Sequence, residues 1–129
     1  MGRLGVRLNQ LPAILEAFRH AGSLKLDGLM THLACADAED ASISRQQLSL
    51  FKEASRQVQD AGLKPRFRHA ANSAAMLRWS EARLDIVRPG IALFGVHPNP
   101  AHRSDDEPRL KPVMRVLSEI VALLSLIHI

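Results

Sequence analysis

Apolar residues along the chain recur in short blocks, some at helical and some at strand-like spacing, with glycine, proline or clustered polar residues between them. Leu11, Ile14, Leu15 and Phe18 fall on one side of a predicted helix that opens at Asn9, tolerates Pro12 in its first turn and stops at Gly22. KLDGLMTHLAC (25–35) reads as a buried strand whose polar residues gather at its end. ADAEDAS (36–42) is a polar loop leading into a second helix from about Ser42 to Ala61. Leu48, Phe51, Ala54, Ser55, Val58 and Ala61 line one face of that helix, and Gly62 ends it. LKPRFRHAA (63–71) is a short strand and NSAAMLRWS (72–80) a short helix. LDIVRPGIALFGV (84–96) is a further apolar run, broken by Pro89-Gly90. HPNPAHRSDDEPR (97–109) has the proline and charge of a loop, and LKPVMRVLSEIVAL (110–123) reads as extended.

Strands that alternate with helices through short turns predict an α/β fold with βαβ crossovers around a parallel sheet. In such folds chemistry collects at the C-terminal ends of strands. The polar residues follow that rule. His32 ends the first strand, His69, Asn72 and Ser73 end the second, and Arg88 and Gly90 lie beside the third. The crossovers are too few to close an eight-stranded barrel, which leaves a small open sheet or a segment of a barrel. No internal repeat or low-complexity segment is present, but the composition shifts abruptly at LLSLIHI.

Composition narrows the function class. With 129 residues, 47% apolar and 23% charged, the chain suits one ordinary globular domain. A net charge of +4 and a pI near 10.0 raise the question of nucleic acid. The basic residues are scattered, however, and an aromatic fraction of 4% supplies no stacking platform, so no nucleic-acid partner is expected. No apolar run is long enough to span a membrane, and MGRLGVRLNQ is not a signal peptide. The single cysteine, Cys35, excludes an internal disulfide, reads as a small buried residue, and fits a cytoplasmic protein. No His/Cys spacing suits a metal. Tyrosine is absent.

Two constellations carry candidate chemistry. Asn72-Ser73 at a helix start and Pro89-Gly90-Ile91 after a strand would together make a phosphate cup, because helix N-termini present unpaired N–H groups and glycine admits an anion close to backbone. The competing reading is an ordinary N-cap plus a tight turn. Arg88, close to a strand interior, needs a ligand or a carboxylate partner such as Asp85. His32 and His69 read equally as hydrogen-bonded structural residues, and Arg3 as a solvated one.

Taken together, MGRLGV (1–6), LDGLMTHLACAD (26–37), HAANSAA (69–75), DIVRPGIALFGV (85–96) and LKPVMRVLSEI (110–120) resemble the bacterial alanine racemases that use pyridoxal 5'-phosphate. The resemblance runs from Met1 to about Ala122, and HAANSAA and VRPGIALFG are its most specific pieces. It implies an isomerase that interconverts L- and D-alanine, for cell-wall precursors or D-alanine catabolism, as a homodimer. Its fold would be a (β/α)8 TIM-type barrel followed by a β domain. By position, Ser73 with the backbone of Gly90 and Ile91 would hold the cofactor phosphate, with Asn72 adjacent. Arg88 would face the pyridine nitrogen, His32 would orient Arg88, and Arg3 would bond the phenolic oxygen and approach the substrate carboxylate. A broad-specificity amino-acid racemase, or a non-enzymatic pyridoxal-phosphate homeostasis protein, are the alternatives.

The chain also departs from that family. The cofactor lysine motif A-x-x-K-A-x-x-Y-G-H-G has no match around Lys25, Lys52, Lys64 or Lys111, and the family's tyrosine base is missing. No catalytic residue is therefore expected within this span. The expectation is an incomplete barrel segment at 1–109, the start of the link to the β domain at 110–122, and a tail at 123–129 that reads as non-native.

Overall fold

The computed structural model describes residues 4–123. Arg3 and residues 124–129 of the expected tail lie outside the described residues.

Helix α1 spans Leu11–His20 after a 3₁₀ turn at Leu8–Gln10, and Pro12 sits in its first turn where a missing N–H is harmless. Its buried residues are Leu11 and Leu15, whereas Ile14 stays 39% exposed. Strand β1, Gly28–Met30, is far shorter than the expected 25–35. Helix α2 covers Ser42–Asp60 and buries Ser44, Leu48, Phe51 and Val58. At its start the Asp40 carboxylate accepts the Ser42 N–H at 2.8 Å and the Ser42 hydroxyl at 2.8 Å, which holds its pKa below the usual carboxylate value. Gly62, at φ +77, takes the left-handed turn that ends the helix. Strand β2 is Phe67–His69, and helix α3 is Ser73–Arg78.

β1 and β2 pair in parallel, Gly28 opposite Phe67 and Met30 opposite His69. Thr31 N–H then donates to His69 O at 3.2 Å, carrying the alignment one residue further. The crossover between the strands is α2, as the alternating pattern predicts. The expected third strand is not a regular strand. It survives as two bonds along β2, Asp85 N–H to Arg68 O at 3.1 Å and Arg88 N–H to Ala71 O at 2.9 Å. Pro89 then removes a donor and the chain turns into a 3₁₀ segment at Ile91–Phe94. The segment 110–123 has no regular structure.

Two apolar clusters hold the unit together. Leu33, Ala36, Leu48, Phe51, Ala70, Ala71, Ala74, Ala75, Trp79 and Ala82 pack α2 and α3 against the ends of both strands. Leu11, Leu15 and Val58 join α1 to α2. The alanines around α3 let that helix sit directly on the strand ends, which brings its N-terminus beside the 85–92 segment. Cys35, expected in the core, is only half-buried, because it lies in the loop after β1 rather than in a strand.

Candidate functional site

Every candidate residue within the described region gathers where β1, β2 and the 85–92 segment end. Asn72 is the N-cap of α3, and its Oδ1 accepts the Ala75 N–H at 3.1 Å. Its Nδ2 donates to Leu33 O at 3.4 Å, tying the helix start to the loop after β1. Both ends of this side chain are thus committed to the fold, so the cap reading of Asn72 describes what it does.

Ser73, the next residue, is buried. Its Oγ accepts the Gly90 N–H at 2.8 Å and the Ala92 N–H at 3.2 Å. A hydroxyl has two acceptor lone pairs and one hydrogen. With both lone pairs used, Ser73 retains its hydrogen as a donor, and no acceptor among the described residues takes it. The backbone at Ile91 lies between the two bonded amides, at the start of a 3₁₀ turn where N–H groups have no partner within the turn. A Cβ added to Gly90 meets nothing within 4 Å, so packing does not require glycine there.

Arg88 forms the other half of the site. Its guanidinium touches His69 Nδ1 at 2.5 Å, Thr31 O at 2.7 Å, Ala70 O at 3.3 Å and His32 Nδ1 at 3.4 Å. The carboxylate partner proposed for it, Asp85, instead binds the Arg68 backbone N–H at 2.8 Å and its side chain at 3.3 Å. Among the described residues Arg88 meets no carboxylate. An arginine only donates, so His69 Nδ1 must accept and its proton sits on Nε2. Burial, and then the Arg88 charge, lower the His69 pKa, and burial alone lowers that of Arg88. The result is a fixed cation with the His69 and His32 rings on either side.

His69, read from the sequence as a hydrogen-bonded residue, lies nearer to Arg88 than His32 does. The signal that finds it is register. Once Met30 is opposite His69, the residues that end both strands flank one position, and a side chain from the adjacent 85–88 segment lands between them. Among the described residues no cluster of three or more His, Cys, Asp or Glu could hold a metal, and no helix is long and apolar enough to cross a membrane.

Comparison with known proteins gives a consistent result. Residues 1–98 match the family model for the alanine racemase N-terminal domain. The alanine racemase of Sorangium cellulosum is 54% identical over 123 residues, covering 95% of this chain and 31% of that protein. That of Thermobifida fusca is 44% identical over 109 residues, covering 84% of this chain and 28% of that protein. Among solved structures, the Bacillus anthracis alanine racemase with bound L-Ala-P superposes with a TM-score of 0.76 at 37% identity, covering 87% of this chain and 29% of that one. The Streptomyces coelicolor alanine racemase gives 0.71 at 38%, covering 77% and 27%. The chain thus spans roughly a third or less of the length of these relatives.

Proposed function

The chain belongs to the alanine racemase family, and on that premise we propose that the full-length protein racemises alanine with pyridoxal 5'-phosphate held at the strand ends described above. In this reading residues 1–109 are part of a (β/α)8 TIM-type barrel, and 110–122 begin the link to a β domain. The enzyme acts as a cytoplasmic homodimer. The relatives are named alanine racemases, which does not favour the non-enzymatic alternative.

The observation that carries the proposal is Arg88, a guanidinium set between two imidazole acceptors with no carboxylate of the described residues against it. Bound there, pyridoxal phosphate supplies the electron sink that weakens the Cα–H bond of an amino acid. The chain's own residues set how strong that sink is. Arg88 presents only N–H groups, so it can donate to a pyridine nitrogen but cannot accept a proton from it. A carboxylate in the same place would hold that nitrogen protonated. Arginine would leave it neutral and the sink weaker, which suits a reaction that must return the proton to the same carbon. His69 and His32, both accepting through Nδ1, fix the plane of the guanidinium. Ser73 offers its hydroxyl hydrogen, and Ile91 its backbone N–H, to the phosphate, while the Gly90 and Ala92 amides hold the Ser73 oxygen in place. Arg3 takes the phenolic oxygen and the substrate carboxylate on the strength of resemblance alone. Racemisation needs a proton acceptor on each face of the α-carbon, and no tyrosine of this chain can be one of them.

The test is conversion of L- to D-alanine by the full-length protein with added cofactor, together with the cofactor affinity of Ser73→Ala. Racemisation is expected, with Kd for pyridoxal phosphate raised about tenfold in the variant, the loss of one charge-assisted hydrogen bond. No racemisation, or unchanged affinity in Ser73→Ala, returns the cluster to a plain helix cap and turn.

A further inference from the structure

The loop after the phosphate turn contains a largely buried pair that the cofactor reading does not use. His97 and Glu107 are 11% and 7% exposed in their side chains, within a segment whose neighbours are mostly exposed. His97 Nε2 lies 2.7 Å from Glu107 Oε2. The Asn99 N–H donates to His97 Nδ1 at 3.1 Å, so Nδ1 must accept and Nε2 carries the proton that goes to Glu107. Asn99 Nδ2 in turn donates to Asp37 O at 2.6 Å, which fastens the loop to the segment after β1.

This pair closes the loop that follows the turn bonded to Ser73. Within the turn, Leu93 N–H donates to Gly90 O at 3.0 Å and Gly95 N–H to Ala92 O at 3.1 Å. At its end, the returning chain lies directly on it. Val113 N–H donates to Phe94 O at 3.2 Å, and a Cβ on Gly95 would overlap Lys111 O and C. Gly95 also has φ +76, a conformation that disfavours side chains. Residues 94 and 113 are therefore brought together by the same loop whose interior His97 and Glu107 tie.

We propose that His97 and Glu107 are positioning residues that clamp the 97–109 loop and thereby hold the Gly90–Ala92 amides in register with Ser73 for the cofactor phosphate. The proposal rests on the phosphate reading above. Neither residue touches the cofactor position; each acts through the turn.

The test uses the full-length protein and absorbance titration with pyridoxal 5'-phosphate. His97→Ala and Glu107→Ala are each expected to raise Kd about tenfold, the scale at which supporting partners of a ligand site act. The double variant should be no worse than the poorer single one, because one contact is lost in all three. Glu107→Gln keeps an acceptor for the Nε2 proton and should recover most of the affinity. Should the alanine variants fail to fold, His97→Asn keeps the Nδ1-like acceptor, removes only the reach to Glu107, and should show the same tenfold loss. Ser73→Ala is measured alongside. If it weakens binding while the pair variants do not, the clamp is wrong and the phosphate reading stands. If Ser73→Ala changes nothing, the phosphate reading fails and takes the clamp with it. A lower melting temperature of the cofactor-free protein with unchanged Kd assigns the pair to stability alone and overturns the proposal.

Discussion

His69 owes its state to its surroundings. With Arg88 donating to its Nδ1, the ring holds one proton, on Nε2, and a second would face a guanidinium. Burial first, and the Arg88 charge second, lower its pKa from 6.5. The unfolded chain binds that second proton as pH falls through 6.5 and the folded chain resists it, so stability rises with pH in this range. The contribution is fully present above 6.5 and is lost as pH drops toward the folded value. The denaturant midpoint of the full-length protein is therefore expected to fall between about pH 7.5 and about pH 5, and His69→Gln should flatten that dependence. An equal slope in both proteins contradicts the assignment. The carboxylates of Asp40 and Asp85, whose pKa values lie below 3.8, act only at more acid pH.

At the level of elements, α3 shows how a short helix becomes a site. With six residues it has little intrinsic stability, and what holds it is the Asn72 cap, the Asn72–Leu33 bond and the burial of Ser73, Ala74, Ala75 and Leu77. Asn72→Ala is expected to destabilise the full-length protein by about 1–2 kcal/mol, since cap and tie are lost together. Asn72→Ser keeps the cap acceptor without the reach to Leu33 and should recover part of that. Thermal melting of the two variants checks the order. The cap was legible because Asn-Ser before an alanine run is a local signal. The 85–96 segment was not legible, because an apolar run broken by Pro89-Gly90 reads as strand or turn until its hydrogen bonds to Arg68, Ala71 and Ser73 are known.

On the scale of the whole molecule, the described residues leave β1 without a partner on its far edge and Met30, Leu93, Val113 and Leu117 at 55%, 64%, 73% and 76% exposure. An open strand edge together with exposed apolar residues of this kind favours association over a folded monomer. The 129-residue chain on its own is therefore expected to bind a hydrophobic dye, to unfold without a sharp transition and to produce no D-alanine from L-alanine, even with cofactor added. A monodisperse sample with one cooperative thermal transition contradicts the first part, and measurable D-alanine the second.

What the sequence determined by itself is what local signals and motif order carry. The helical faces of Leu11–Leu15 and Leu48–Val58, the stop at Gly62, the cap at Asn72 and the α/β alternation are set by spacing and by single-residue conformational preference. HAANSAA and VRPGIALFG likewise pointed to the family that the comparisons then gave. Tertiary structure decided the rest, since strand register relates residues far apart in the chain. Only pairing Met30 with His69 places Thr31, His32, His69 and Ala70 around one guanidinium, and so turns Arg88 from a candidate ion-pair partner of Asp85 into a cation braced by imidazoles. The His97–Glu107 contact was equally invisible, because a proline-rich, charged loop carries no periodicity that says which two of its residues turn inward.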